Sequence, residues 1–262
     1  MTFLDAILLG ALQGLTEFLP VSSSGHLVLA QALLGLKSAG ASNYGQLSFE
    51  IIVHLGTLLA VFVYFRRLLW RMAVSLLPGG DSQDRRLIWL VGLGTIPAAL
   101  AGLYIKSHMS GVFSSPTFAA SMLLINGVIL VLTGFIRIGG ESVRLRSAMG
   151  IGLAQALAIL PGISRSGLTI SAGMFLKVSP QRAAEFSFLL AIPVILGAAA
   201  LDIDNLGTLA GEQLAVYLSG AAVAFVSGLF AIGWLMRLIR KGKFLYFGVY
   251  SLALGSLALV FI

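Results

Sequence analysis

Residues Leu12–Leu27 read LQGLTEFLPVSSSGHL: an apolar stretch carrying Gln13 and Glu17, then Pro20, three serines, Gly25 and His26. The apolar run Phe3–Leu19 ends there, and a shorter one, His26–Leu36, follows. A second stretch repeats the pattern: Ala148–Leu160 ends at Pro161 and Ser164-Arg165-Ser166-Gly167, followed by Leu168–Leu176. Proline lacks a backbone donor, serine favours capping and glycine favours turns, so each stretch reads as a helix broken and restarted. Apolar segments of about 10–14 residues suit re-entrant hairpins better than full membrane crossings.

The surrounding sequence puts these breaks in a membrane. Of 262 residues 58% are hydrophobic and 10% charged, against about 45–50% and 25% in a soluble domain. The mean hydropathy is +0.99. One soluble core cannot hide that much apolar surface, so lipid solvates part of it. Outside the two breaks, six runs are long enough to cross at about 20 residues each: Gln46–Phe65, Leu87–Ile105, Thr117–Ile136, Ala183–Leu201, Leu214–Met236 and Phe244–Ile262. The expected fold is an all-α integral membrane protein: six transmembrane helices plus two re-entrant helical hairpins, in one membrane domain over residues 1–262. Cysteine is absent, which excludes disulfides and thiolate chemistry. The first apolar segment carries Asp5 where a signal peptide has a basic region, and no small-residue cleavage site follows, so it reads as a retained membrane segment. Glycine, at 31 residues, is spread through the apolar runs, as helix-helix contact in lipid favours.

The net charge of +7 is an orientation signal rather than a nucleic-acid one. Arg66, Arg67, Arg71, Arg85 and Arg86 share one loop; Arg137, Arg144 and Arg146 a second; Lys177 and Arg182 a third; Arg237, Arg240, Lys241 and Lys243 a fourth. Lys37, Lys106 and Arg165 lie elsewhere. By the positive-inside rule these four loops are cytoplasmic, and the loop with Asp202, Asp204 and Glu212 is outside. The first broken pair then enters from the outer face and the second from the inner. That is an inverted-topology repeat, with repeat 1 over about residues 1–136 and repeat 2 over about 148–262. A shift of 142 positions aligns Gly10 with Gly152, Gln13 with Gln155, Leu15 with Leu157, Ser22 with Ser164, Ser24 with Ser166 and Gly25 with Gly167.

Ionisable groups at membrane depth are costly and mark function. Here they are Glu17, His26 and Arg165, with Glu50, His54 and Glu185 nearer the ends of spans. If both hairpins reach the bilayer centre, their tips bring Glu17, Ser22, Ser23, Ser24 and His26 against Ser164, Arg165, Ser166 and Thr169. A single such break is a kink whose hydroxyls satisfy their own backbone, and the plain reading of Arg165 is an ion pair with Glu17. Two breaks of one chemistry, one carrying Glu and His and the other Arg, read as a site. Helix N-termini attract anions. Arginine presents a donor fork to phosphate oxygens. Glu17 offers oxygen to Mg²⁺ or Ca²⁺, or acts as a base; His26 suits acid–base work, and a serine suits nucleophilic attack.

At these residues the chain resembles the undecaprenyl-diphosphate phosphatases of bacterial inner membranes, the bacitracin-resistance type. The likeness lies in LQGLTEFLPVSSSGHL and in LPGISRSGLT (Leu160–Thr169), and continues in FEIIVHLGTLLAVFVYF (Phe49–Phe65) and AAEFSFLLAIP (Ala183–Pro193). The resemblance implies a phosphoric anhydride hydrolase that converts a polyprenyl diphosphate to its monophosphate and inorganic phosphate. This recycles the carrier lipid for peptidoglycan and confers bacitracin resistance. It also implies the hairpin-and-inverted-repeat architecture and a divalent cation, Mg²⁺ or Ca²⁺. Glu17, Ser23, His26 and Arg165 are then the catalytic residues, Arg165 gripping the diphosphate. Ser22, Ser24, Gly25, Ser164, Ser166 and Thr169 line the diphosphate site, and Glu17 with Gln13 holds the metal. One position departs from the family: Gln13 stands where other members have Glu, so Gln13 offers a neutral oxygen and the charge rests on Glu17.

The expected location is the bacterial inner membrane, multi-pass, with the site opening to the periplasmic face. The expected partners are the lipid diphosphate and bilayer lipid, with no nucleic acid; a homodimer stays open. Two routes also stay open, attack by Ser23 with His26 handling its proton, or water activated by His26. The rival from another class is a polyprenyl-phosphate transporter or flippase using the same anion site, since inverted repeats with broken helices are how secondary carriers are built. A non-catalytic membrane scaffold is the third reading.

Overall fold

The computed structural model describes residues 1–33, 43–108, 115–137, 139–201 and 211–261. Among these residues the chain is all-helical, with no strand and a lone bridge between Glu141 and Val178. The first half holds α1 (Phe3–Phe18), α2 (Ser23–Leu33), α3 (Asn43–Tyr64), α4 (Arg66–Val74), α5 (Ser82–His108) and α6 (Pro116–Thr133). The second holds α7 (Leu145–Leu157), α8 (Arg165–Phe175), α9 (Pro180–Leu201), α10 (Gly211–Arg240) and α11 (Leu245–Phe261). Residues 34–36 of the short run after the first break lie outside the described residues, as do Lys37, Asp202 and Asp204.

Local sequence sets the helix ends. Thr2 and Asp5 form a reciprocal capping box on α1. Ser115 caps α6 just ahead of Pro116, whose missing N–H costs nothing in the first turn. Asp81 accepts the backbone N–H groups of Asp84 and Gln83 at the start of α5, which holds its carboxyl below the usual carboxylate range. The breaks fall where proline and serine interrupt the apolar runs, between Phe18 and Ser23 and between Leu157 and Arg165.

Among the described residues four helices are long and apolar enough to cross a membrane: α5, α6, α9 and α10. A fifth crossing results if α3 and α4 count as one span, bent by 74° at Phe65. The chain is therefore a multi-pass membrane protein. All six apolar runs are helical, and α11 is the shortest of them at 17 residues. One element differs from expectation. The basic stretch after Tyr64 reads as a loop, yet Arg66–Val74 forms α4, burying Met72 while Trp70 is 72% exposed. A short basic amphipathic helix of this kind keeps one edge on protein and the other outward.

Small residues let the helices meet backbone to backbone. A methyl group on Gly10 of α1 would lie 2.3 Å from the carbonyl oxygen of Gly220 on α10. A methyl on Gly152 of α7 would meet the carbonyl oxygen of Gly94 on α5 at the same distance. Contacts this close are how helices associate where lipid supplies no hydrophobic drive between them. The core cluster that includes Leu19 and Val21 of the first break mixes aliphatic and aromatic side chains, with Phe18 edge-on to Phe188 at 5.5 Å. Large apolar side chains such as Leu4, Leu100, Val226 and Phe230 face outward, the exterior a bilayer solvates.

Candidate active site

The two breaks meet. Asn126, in the middle of α6, joins them: its Nδ2 donates to the Pro20 carbonyl at 3.1 Å, and its Oδ1 accepts from the backbone N–H of Ser164 at 3.1 Å. Ser166 Oγ donates to the Leu19 carbonyl at 3.2 Å. A Cβ on Gly25 would stand 3.1 Å from the Cα of Gly162, itself in the left-handed region at φ +95°. Gly25 is tightly held by this approach, and at Gly162, where a Cβ would lie 2.2 Å from the Ala119 carbonyl oxygen, there is no room for a side chain.

Both restarted helices use the same cap. Ser22 Oγ accepts from the N–H of Gly25 at 3.2 Å, and Ser164 Oγ from that of Gly167 at 3.0 Å. The hydroxyls of Ser22 and Ser24 are 3.3 Å apart, those of Ser164 and Ser166 3.1 Å. Ser22 differs in holding a positive φ of 69°, an uncommon conformation for a residue with a side chain and one that clusters at functional sites.

Glu17, 7% exposed, is the hub. Its Oε1 accepts from Arg165 Nη2. Its Oε2 accepts from Ser23 Oγ at 2.6 Å and from Gln13 Nε2 at 2.9 Å, and lies 3.4 Å from His54 Nε2. Arg165 is the first residue of α8, and its Nη1 donates to the Ser187 carbonyl at 3.4 Å. With five N–H groups a guanidinium has donors left over. These residues border a cavity of about 290 Å³. Its lining combines polar residues, among them Glu17, Ser23, Ser24, His54, Ser164 and Arg165, with apolar ones from α5, α9 and the second break, among them Ala98, Ile159, Val194 and Ala198.

Several expected residues stand elsewhere. His26 is buried, but Nδ1 donates to the Ser22 carbonyl at 2.7 Å, and Nε2 accepts from the Tyr250 hydroxyl at 2.8 Å. The ring stacks on Tyr250, with centroids 5.7 Å apart. Neither nitrogen faces Ser23, so the expected Ser23–His26 pair is replaced by Ser23–Glu17. The spacing of three would allow the pair on one helix face, but both imidazole nitrogens are taken, one by the Ser22 carbonyl a turn earlier and the other by Tyr250. Ser22, Gly25, Ser166 and Thr169 sit behind the cavity wall rather than on it. Thr169 Oγ1 donates to the Arg165 carbonyl at 2.6 Å and pairs with Ser187 Oγ at 2.7 Å, bracing the start of α8.

Two residues escape a reading of the breaks alone. His54, on α3, also sends Nδ1 to the Glu50 carbonyl at 2.6 Å. It lies near the middle of α3 (Asn43–Tyr64), not towards a span end as the sequence reading has it. The sequence signal for Asn126 is weak, a lone amide in the run Thr117–Ile136.

The metal expectation can be weighed on donor chemistry. Among the described residues no three His, Asp or Glu side chains are gathered to hold an ion. However, Gln13 Oε1 is buried beside Glu17 with no hydrogen-bond partner. One carboxylate and one orphaned amide oxygen fit a hard cation such as Mg²⁺, which takes few protein ligands and completes its shell with phosphate and water.

The fold and site define a class: a helical membrane protein with a buried acid, guanidinium and hydroxyl where two broken helices touch. Residues 6–257 match the family model described as bacitracin resistance protein BacA. The chain belongs to that family. It is 43% identical over 273 residues to the undecaprenyl-diphosphatase of Desulfosudis oleivorans, covering 98% of this chain and 97% of that one. It is 42% identical over 262 residues to that of Syntrophotalea carbinolica, covering 98% of each. Against that of Geobacter sulfurreducens it is 41% identical over 273 residues, covering 100% and 99%.

Proposed function

We propose that this chain is a membrane phosphatase that hydrolyses undecaprenyl diphosphate to the monophosphate and inorganic phosphate. The observation that carries the reading is the Glu17 cluster, where one carboxylate engages Arg165, Ser23 and His54 on a cavity lined by both polar and apolar residues. A mixed lining suits a diphosphate head with an isoprenoid tail. The names of the relatives agree with it.

In this reading the cavity takes the diphosphate among Arg165, Ser24 and Ser164, with the first isoprene units along Ala98, Val194 and Ala198. Ser23 Oγ, already hydrogen-bonded to Glu17, attacks the terminal phosphorus. The bond from that phosphorus to the bridging oxygen breaks, the lipid monophosphate leaves with that oxygen, and the Ser23 proton passes to Glu17. Glu17 hands that proton to the departing bridging oxygen. Water then attacks the phosphoserine, the bond from phosphorus to Ser23 Oγ breaks, Glu17 takes the water's proton and returns it to Ser23 Oγ, and inorganic phosphate departs. Glu17 and Gln13 would hold the cation, which supplies charge neutralisation at the phosphate oxygens. Arg165 supplies the rest, and such stabilisation carries most of the catalysis in phosphoryl transfer. His26 holds the Ser22 turn through the Ser22 carbonyl.

The finer architecture belongs to the same proposal: six spanning helices and two re-entrant pairs, α1–α2 and α7–α8, as an inverted repeat of about residues 1–136 and 148–262 in one domain. Equivalent serine caps, and the equivalent contacts of Gly10 on α10 and Gly152 on α5, support it. The site then opens to the periplasmic side of the inner membrane. There it returns carrier lipid to wall synthesis, and abundant enzyme would deplete the diphosphate that bacitracin binds.

The test is phosphate release from a polyprenyl diphosphate by purified protein in detergent, with Mg²⁺ or Ca²⁺ and with chelator. The wild type should release phosphate in a cation-dependent way and Glu17→Ala should not. A transporter would leave the phosphate on the lipid, and that result would overturn the reading. Ser23 is tested by acid-quench trapping of a phosphoenzyme. Substantial turnover by Ser23→Ala would refute the covalent step.

A further inference from the structure

Gln155 lies in the last turn of α7, in the wall of the cavity that holds Glu17, Ser23 and Arg165. It is 1% exposed, and neither Nε2 nor Oε1 has a hydrogen-bond partner. A buried amide with both ends unmet is costly, and an apolar side chain of the same shape would be cheaper for the fold.

The other half of the molecule indicates what the amide lacks. Shifted by 142 positions, Gln155 corresponds to Gln13 and Ile159 to Glu17. Gln13 Nε2 donates to the Glu17 carboxylate one turn along its helix. One turn beyond Gln155 stands Ile159, also in the cavity wall, which can accept nothing. The second half keeps the donor and drops the anion. The same cavity presents Arg165 and Ser164, two further donors to an anion, so an anion from outside the chain can supply the acceptor that Ile159 cannot.

We infer that Gln155 is a binding residue for the diphosphate group, its Nε2 donating to a phosphate oxygen in the role that the Glu17 carboxylate serves for Gln13. The identity of the ligand rests on the phosphatase reading; the unmet hydrogen-bonding capacity of the amide does not.

The experiment compares wild type with Gln155→Met, an unbranched side chain of similar length. It measures initial rates on polyprenyl diphosphate and thermal unfolding with and without methylenediphosphonate, a diphosphate that cannot be hydrolysed. A thioether needs no partner, so the variant should unfold at the wild-type temperature or above it. KM should rise about 10- to 100-fold, the worth of a hydrogen bond to a charged group, with kcat changed less. Methylenediphosphonate should raise the unfolding temperature of the wild type and not of the variant. Should Gln155→Met fold poorly, Gln155→Glu, nearly isosteric, carries the comparison, and its carboxylate should repel the diphosphate and raise KM further. A folded variant with KM within about twofold of wild type and the same protection by the probe overturns the inference, while an active wild type leaves the phosphatase reading standing. A wild type that releases no phosphate, yet is protected by methylenediphosphonate only while Gln155 is present, does the reverse.

Discussion

Glu17 and Arg165 come from residues 148 apart in sequence, and each is hazardous to the fold without the other. Removing one member of a buried ion pair leaves a charge in low dielectric, at about 3–5 kcal/mol, whereas replacing both with apolar groups is often neutral. Glu17→Ala should therefore lower the thermal midpoint sharply, and Glu17→Ala with Arg165→Met should recover much of the loss while remaining inactive. Unfolding in detergent beside the phosphate assay checks both. Equal stability of the single and double variants would contradict the pairing. Ser23 depends on the same carboxylate, so the double variant also removes the acceptor for its proton.

Among the helices, α6 holds the two breaks in register through one side chain. Asn126 satisfies the Pro20 carbonyl, the Ser164 N–H and, at 3.2 Å, Ser251 Oγ. Asn126→Leu keeps the volume and strands these groups, each at about 1–3 kcal/mol. The expected result is a fall in thermal midpoint with a loss of activity larger than the stability change explains, because the tips lose their mutual position. Since Asn126 is not on the cavity, normal kcat and KM in a folded Asn126→Leu protein would refute that role. The glycine contacts act at this scale too: α1 and α7 can seat against α10 and α5 only while Gly10 and Gly152 carry no side chain.

For the whole molecule, the absence of cysteine makes orientation directly measurable. Single cysteines at Gln83, in the first turn of α5, and at Gln213, at the start of α10, should label from opposite sides of intact cells or oriented vesicles. An impermeant maleimide should reach Gln213→Cys from outside and Gln83→Cys only after the membrane is opened. Labelling of both from one side would dismantle the inverted repeat and the assignment of the basic loops to the cytoplasm.

Composition and the spacing of apolar runs determined that the chain is helical and membrane-embedded, because about 20 apolar residues in lipid can satisfy their backbone only as helix. Proline and serine marked both breaks to within a few residues, since one removes a donor and the other caps a restart. Glu17, Ser23 and Arg165 were legible as chemistry too costly to bury idly. Partnership was not legible. That Ser23 bonds Glu17 rather than His26, that Tyr250 occupies His26, and that His54 reaches the carboxylate from α3 follow from which faces of separate helices oppose one another. The same holds for Asn126 and for the unmet amide of Gln155, because hydrogen bonds are made in space and a linear spacing states only which residues share a turn.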